Sequence, residues 1–197
     1  MWTDWTTATA GEPGSAAGTL GAVSVSYSGE VLGNTVINGS SLDWSEPASS
    51  FIGGTVTTSP ESIGDIITLN GTFTGTNTLT FSTPLVNPVF AIWSLGQPGA
   101  LAQFAFNQTP TFEAGGPDIF GGGPITASGN VVSGQEGSGV VQFTGTISSI
   151  SWTDTSENFY GFTVGIAGGT TSVPEPTSLV VLGTALVGFG MIRRRAA

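Results

Sequence analysis

Val140-Val141-Gln142-Phe143-Thr144-Gly145-Thr146-Ile147-Ser148-Ser149-Ile150-Ser151-Trp152 is the longest run of alternating apolar residues in the chain. Val141, Phe143 and Ile147 share one phase of a two-residue repeat, and Ile150 and Trp152 take the other. A period of two marks a β-strand, because successive side chains point to opposite faces of a sheet. The change of phase predicts a β-bulge near Ser148-Ser149. Phe159 to Ile166 repeats the pattern, with Phe162, Val164 and Ile166 on one face.

Working outward, shorter runs of the same kind fill the chain. Leu20 to Tyr27 alternates, and Ser28-Gly29-Glu30 reads as its turn. Thr35 to Ile37 stops at Asn38-Gly39, and Ile66 to Leu69 stops at Asn70-Gly71, both tight-turn pairs. Phe51 to Thr58, Thr78 to Ser82, Val89 to Leu95, Leu101 to Asn107, Thr111 to Glu113, Ile125 to Ala127 and Asn130 to Val132 complete the set. Leu101 is out of phase with Phe104 and Phe106, which predicts a second bulge. No segment before residue 172 has a 3.6-residue period. The expected fold is all-β: an antiparallel, jelly-roll-like β-sandwich of roughly ten to twelve strands over residues 1–168. A linker at 169–173 and a tail at 174–197 follow.

Charge narrows the chemistry. The chain of 197 residues has three basic residues, thirteen acidic ones, and neither His nor Cys. The bases are Arg193, Arg194 and Arg195, so residues 1–192 hold no Lys, Arg or His. No His relay, thiolate nucleophile, Cys-zinc site or disulfide can be built. Nor can the body neutralise a nucleic-acid backbone, so nucleic acid is excluded as a partner. Charged residues make up 8% of the chain, against about 25% in an ordinary soluble domain. Abundant aromatic and β-branched residues nonetheless argue for a packed core rather than disorder. No catalytic residue is assigned and no cofactor is expected, a structural Ca2+ apart.

The tail carries the most specific pattern. Pro174-Glu175-Pro176 holds the chain extended, because each proline fixes φ and disfavours helix before it. Residues 178–192 are uncharged, and as a helix they span about 22 Å, short for a hydrocarbon core of about 30 Å. Arg193-Arg194-Arg195 then acts as a stop-transfer cluster on the cytoplasmic side. In this order and spacing, Val173–Ala197 resembles the PEP-CTERM protein-sorting domain of exported bacterial proteins, also catalogued as the ice-binding protein C-terminal domain. The resemblance implies recognition and cleavage by an exosortase. It also implies transit of the inner membrane, and placement at the cell surface or in the exopolysaccharide matrix. Members of that family carry a signal peptide. Met1-Trp2-Thr3-Asp4-Trp5 has neither a basic nor an apolar leader region, so the expectation is that a leader is encoded upstream.

For the body, the composition favours a non-enzymatic structural or interaction protein. A carbohydrate-binding module is the alternative: Trp2, Trp5 and Trp44 stand beside polar residues and are candidate sugar platforms, whereas Trp93 and Trp152 read as core. Ice binding would use Thr72, Thr74, Thr76, Thr78 and Thr80, which fall at strict period two. A carboxylate-only glycosidase would need an acid pair, such as Asp154 with Glu157 or Asp43 with Glu46. Asp154, Glu157 and Asn158 are also the candidate ligands for Ca2+, since hard cations take oxygen donors.

Overall fold

The structure is a computed structural model and describes residues 1–39, 44, 47–61 and 64–168. It contains thirteen strands and one 3-10 turn, Ala48–Phe51. The strands are β1 (Asp4–Thr9), β2 (Gly11–Leu20), β3 (Val23–Val31), β4 (Ile67–Leu69), β5 (Asn77–Val86), β6 (Pro88–Leu95) and β7 (Ala102–Phe106). They continue as β8 (Thr111–Gly116), β9 (Thr126–Ser128), β10 (Val131–Gly134), β11 (Gly137–Gln142), β12 (Thr146–Asp154) and β13 (Tyr160–Ile166). Two antiparallel sheets face each other. One has eight strands in the order β1-β2-β3-β5-β12-β7-β10-β9, and the other has five, β4-β13-β6-β11-β8. From β4 onward the chain changes sheet at every connection except the β9–β10 hairpin.

The stretch that decided the fold is two strands, not one. Gly137–Gln142 lies in the five-stranded sheet and Thr146–Asp154 in the eight-stranded sheet, so Phe143-Thr144-Gly145 is a corner between layers. Asn87 fixes this corner: its N–H donates to Gly145 O at 2.8 Å, and Gly145 N–H donates to Asn87 Oδ1 at 2.7 Å. The register of β12 on β5 shifts between Ile147 and Ser149, where the phase change had predicted a bulge.

Aromatic rings fill the space between the sheets. Phe90 stacks on Phe162 at 5.1 Å and meets the edges of Trp152 at 5.1 Å and Phe106 at 5.3 Å. Trp152 in turn stacks on Tyr27 and on Phe104, each at 5.8 Å. Such pairs add about 0.5–1.5 kcal/mol each beyond burial. A second apolar cluster covers the far side of the five-stranded sheet. There Val89, Ala91 and Trp93 of β6 and Val140 of β11 pack beneath Trp44, Phe51 and Val56. Every residue of β6 is therefore buried.

Several expected strand limits are corrected. β1 and β2 were not anticipated. Before Leu20, the inward residues of β2 are Gly14, Ala16 and Gly18, too small to give an apolar signal, and Gly18 leaves room for the β1 backbone at Trp5. Ser28-Gly29-Glu30 is not a turn but the end of β3; the turn is at Gly21, where φ is +62°. Phe51 to Thr58 is a 3-10 turn followed by a single bridge, Gly53–Val56, and Thr35 to Ile37 also makes only one bridge, Val36–Ile66. Leu101 lies outside β7 and is exposed, so no bulge is needed there. β5 begins at Asn77, so of the five threonines only Thr78 and Thr80 stand on a strand.

Candidate functional site

Residues 1–3 extend the five-stranded sheet before the chain crosses to the other layer as β1. Thr3 N–H donates to Val164 O at 3.0 Å, Ile166 N–H donates to Met1 O at 2.9 Å, and Trp2 bridges Gly165. A cavity of about 250 Å3 opens at this crossing. Trp2, Asp4, Thr58, Glu61, Asp65 and Thr163 are among its lining residues. Trp2 lies against Gly165, where an added Cβ would come within 2.7 Å of the indole, so only glycine admits the ring. The indole N–H donates to Thr58 O at 2.9 Å, which fixes its orientation.

Three carboxylates border this cavity. Asp4 and Glu61 are exposed, and Asp65 is partly buried. Asp65 sits at φ +54°, a strained backbone that aims its Oδ1 at the Trp5 backbone N–H, 2.9 Å away. Its pKa rises to about 6, first from burial and then from the charges of Asp4 and Glu61, although the Trp5 N–H opposes the shift. Thr163 is buried, and its Oγ1 accepts from Trp5 Nε1 at 3.1 Å. The Met1 amino group turns aside and donates to Ile166 O at 3.0 Å; burial lowers its pKa.

Of the three tryptophans expected to bind sugar, only Trp2 reaches this cavity. Trp5 and Trp44 are both 0% exposed and can form no platform. Trp5 points into the sandwich, edge-on to Phe162 at 6.5 Å, while Trp44 donates to Gly64 O at 3.0 Å and caps Phe51. For Trp5 a polar sequence neighbourhood misled, because alternation buries every second residue of a strand whatever its neighbours are; Trp44 lies outside the strands and is buried by packing on Phe51 and β6. Glu61 and Asp65 were missed. They lie in a stretch without strand periodicity, 59 and 63 residues from Trp2, and no local signal joins them to it.

Asp154, Glu157 and Asn158 do not converge. Asp154 accepts from Asn77 Nδ2 at 3.2 Å, Glu157 Oε1 accepts from Gly96 N–H at 3.0 Å, and Asn158 Nδ2 donates to Gln97 Oε1 at 3.2 Å. Each acid is held by a different strand end. Among the described residues, no group of three or more acids is close enough to hold a metal ion. Burial raises Asp154 to about 6 and Glu157 to about 8. Asp43 and Glu46 lie outside the described residues.

Other buried acids hold loops in place. Glu30, at 0% exposure, takes the Asn70 and Gly71 N–H groups on Oε2 at 3.0 and 2.7 Å. Ser94 Oγ donates to Glu136 Oε1 at 2.6 Å, and Ser138 Oγ donates to Asp118 Oδ2 at 3.1 Å. In a body without basic side chains, N–H and O–H groups must satisfy every buried carboxylate.

The comparisons with known proteins speak to the tail. Residues 172–195 match the PEP-CTERM protein-sorting motif. The match takes in Pro174-Glu175-Pro176 and extends to Arg195, and it leaves the sandwich untouched. A PEP-CTERM tail is the signal of an exported, exosortase-processed protein. No curated protein and no solved structure matches the chain. The linker, Pro174 to Pro176, the expected helix over 178–192 and Arg193 to Arg195 all lie outside the described residues. Among the described residues, no helix is long and apolar enough to cross a membrane.

Proposed function

We propose that this chain is a non-enzymatic structural or interaction protein of the cell surface or exopolysaccharide matrix, delivered there by its PEP-CTERM tail. The match over 172–195 supports export and exosortase processing, and the composition of the body favours a structural or interaction role. In the precursor, residues 178–192 hold the chain in the inner membrane, and an exosortase cuts near Val173 to Pro176. The body then leaves Arg193 to Arg195 behind and works with no basic side chain at all. The alternation of strands between the two sheets supports a jelly-roll-like scaffold, which presents loops rather than a buried reactive centre.

The test is mass spectrometry of the protein from its native host, with and without an intact exosortase, combined with fractionation of cells and matrix. Processed protein should end before residue 178, should be enriched at the surface or in the matrix, and should require the exosortase. A mature C-terminus that still carries Arg193 to Arg195 would overturn the proposal.

A second reading, a glycan-binding module, draws on one specific observation. The Trp2 cleft joins a fixed aromatic ring to carboxylates and a buried hydroxyl, the group types that hold a sugar face and its hydroxyls. The broken threonine row and the divergence of Asp154 from Glu157 lend no comparable support to ice binding or to glycoside hydrolysis.

A further inference from the structure

The chain contains two Asn-Gly pairs, Asn38-Gly39 and Asn70-Gly71. Asparagine is among the chemically labile residues, and it is most labile before glycine. The backbone nitrogen of the next residue can attack the side-chain carbonyl carbon of asparagine, and a glycine there puts no Cβ in the way. Ring closure needs that nitrogen to swing toward the side chain. A nitrogen held by an acceptor, in a backbone held by packing, cannot do so.

The structure treats the two pairs differently. Asn70 and Gly71 are clamped by the buried Glu30, whose Oε2 accepts both of their N–H groups at 3.0 and 2.7 Å. The Asn70 side chain is fixed too, because its Oδ1 accepts from Thr72 N–H at 3.2 Å and from Thr72 Oγ1 at 2.7 Å. Gly71 fits closely against Thr155 O and the Tyr160 hydroxyl, where an added Cβ would clash. Asn38 and Gly39 have none of this. Both are exposed, and they lie just beyond the single Val36–Ile66 bridge. Among the described residues neither makes a hydrogen bond, and a Cβ added at Gly39 would meet nothing within 4 Å.

We propose that Asn38 is a site of spontaneous deamidation in the folded protein, and that Glu30 protects Asn70 from the same reaction. The Gly39 nitrogen gives up its proton to solvent base and bonds to Asn38 Cγ. The Cγ–Nδ2 bond breaks, Nδ2 takes a proton, and ammonia leaves behind a five-membered succinimide. Water then opens the ring at either carbonyl, which gives aspartate or isoaspartate at position 38. The sum is asparagine plus water to an acid plus ammonia. Each event adds one exposed carboxylate to a body that has no basic side chain to pair with it. The conversion accumulates with the age of the molecule.

The experiment incubates the purified full-length chain in neutral detergent and mildly alkaline buffer, either native or in urea. Pepsin digestion at acid pH, where ring closure stops, precedes mass spectrometry; trypsin would find no site before Arg193. In the native chain the peptide with Asn38 should convert steadily to a mixture of aspartate and isoaspartate. The peptide with Asn70 should stay intact. In urea the clamp is gone, and the two peptides should convert at similar rates. Gly39→Ala should slow the conversion of Asn38 severalfold, because the methyl group crowds the attacking nitrogen. An Asn38 that stays intact in the native chain would overturn the proposal. Native conversion of Asn70 at the rate of Asn38 would also overturn it, since the clamp would then protect nothing. An undiminished rate in Gly39→Ala would overturn the route through the Gly39 nitrogen.

Discussion

The outward faces of the two sheets differ in kind. On the eight-stranded sheet, β3 and β5 expose alternate residues such as Ser24, Ser26 and Thr80, so that face meets water. The outward residues of β6 on the five-stranded sheet, Val89, Ala91 and Trp93, are fully buried beneath Trp44, Phe51 and Val56. One sheet therefore needs a single apolar face and the other needs two. The sequences record this: β5 alternates as Asn77-Thr78-Leu79-Thr80-Phe81, whereas β6 runs Val89-Phe90-Ala91-Ile92-Trp93 without a break. The cleft lies at the covered sheet, where residues 1–3 pair with β13.

A charge placed on each outward face tests the difference most sharply. Ala91→Asp puts an unpaired carboxylate beneath the cover, and the expected loss is about 3–5 kcal/mol, enough to abolish folding in a marginally stable domain. Chemical denaturation measures it, and a loss below about 1 kcal/mol would show that the cover does not exclude water. Trp44→Ala comes next. It should cost about 3 kcal/mol and open the outer face to a hydrophobic dye, while the near-ultraviolet signal of the Trp152 stack persists. Loss of both signals together would mean that the two cores fold as one.

The pH dependence is smaller and has a definite sign. Asp65 and Asp154 have folded pKa values near 6, and Glu157 near 8, all above their ordinary values of 3.8 and 4.5. A carboxyl whose folded pKa is raised favours folding most when it is protonated. That stability is fully present below about pH 4. It is lost as pH rises through 6 for the two aspartates and through 8 for Glu157. Melting temperature should therefore fall by several degrees between pH 5 and pH 8. Glu157→Gln should flatten the upper part of that curve, and an unchanged upper part would show that Glu157 does not cause it. The smallest effect is expected on the wet face, where Thr80→Asp should change stability by about 0.5–1 kcal/mol at most. A loss as large as that of Ala91→Asp would erase the contrast between the faces.

The interior was legible wherever large residues alternate. β12, β13 and the inward residues of β7 were all found from period two. β2 was not, because glycines and alanines give no apolar signal, and its place comes from pairing with β1 and β3. The corner at Phe143-Thr144-Gly145 hides inside an alternating run, since exposed polar or glycine residues such as Thr144 and Gly145 also occur at every second position of a half-buried strand. Glu61 and Asp65 gave no signal of the cleft, which was legible at Trp2. Trp5 and Trp44 share its polar neighbourhood but are buried by packing that forms between distant segments.

The sequence by itself determined the class of strand, the chemistry that the body lacks and the address on its tail. Those depend on local periodicity, on composition and on a short linear motif over 172–195. Only the tertiary structure decided which tryptophan lines the cleft, and which acids join it there. It also decided that one sheet is covered on both faces. Burial and the meeting of carboxylates are set by contacts between residues far apart in the chain, and a linear pattern carries no record of those distances.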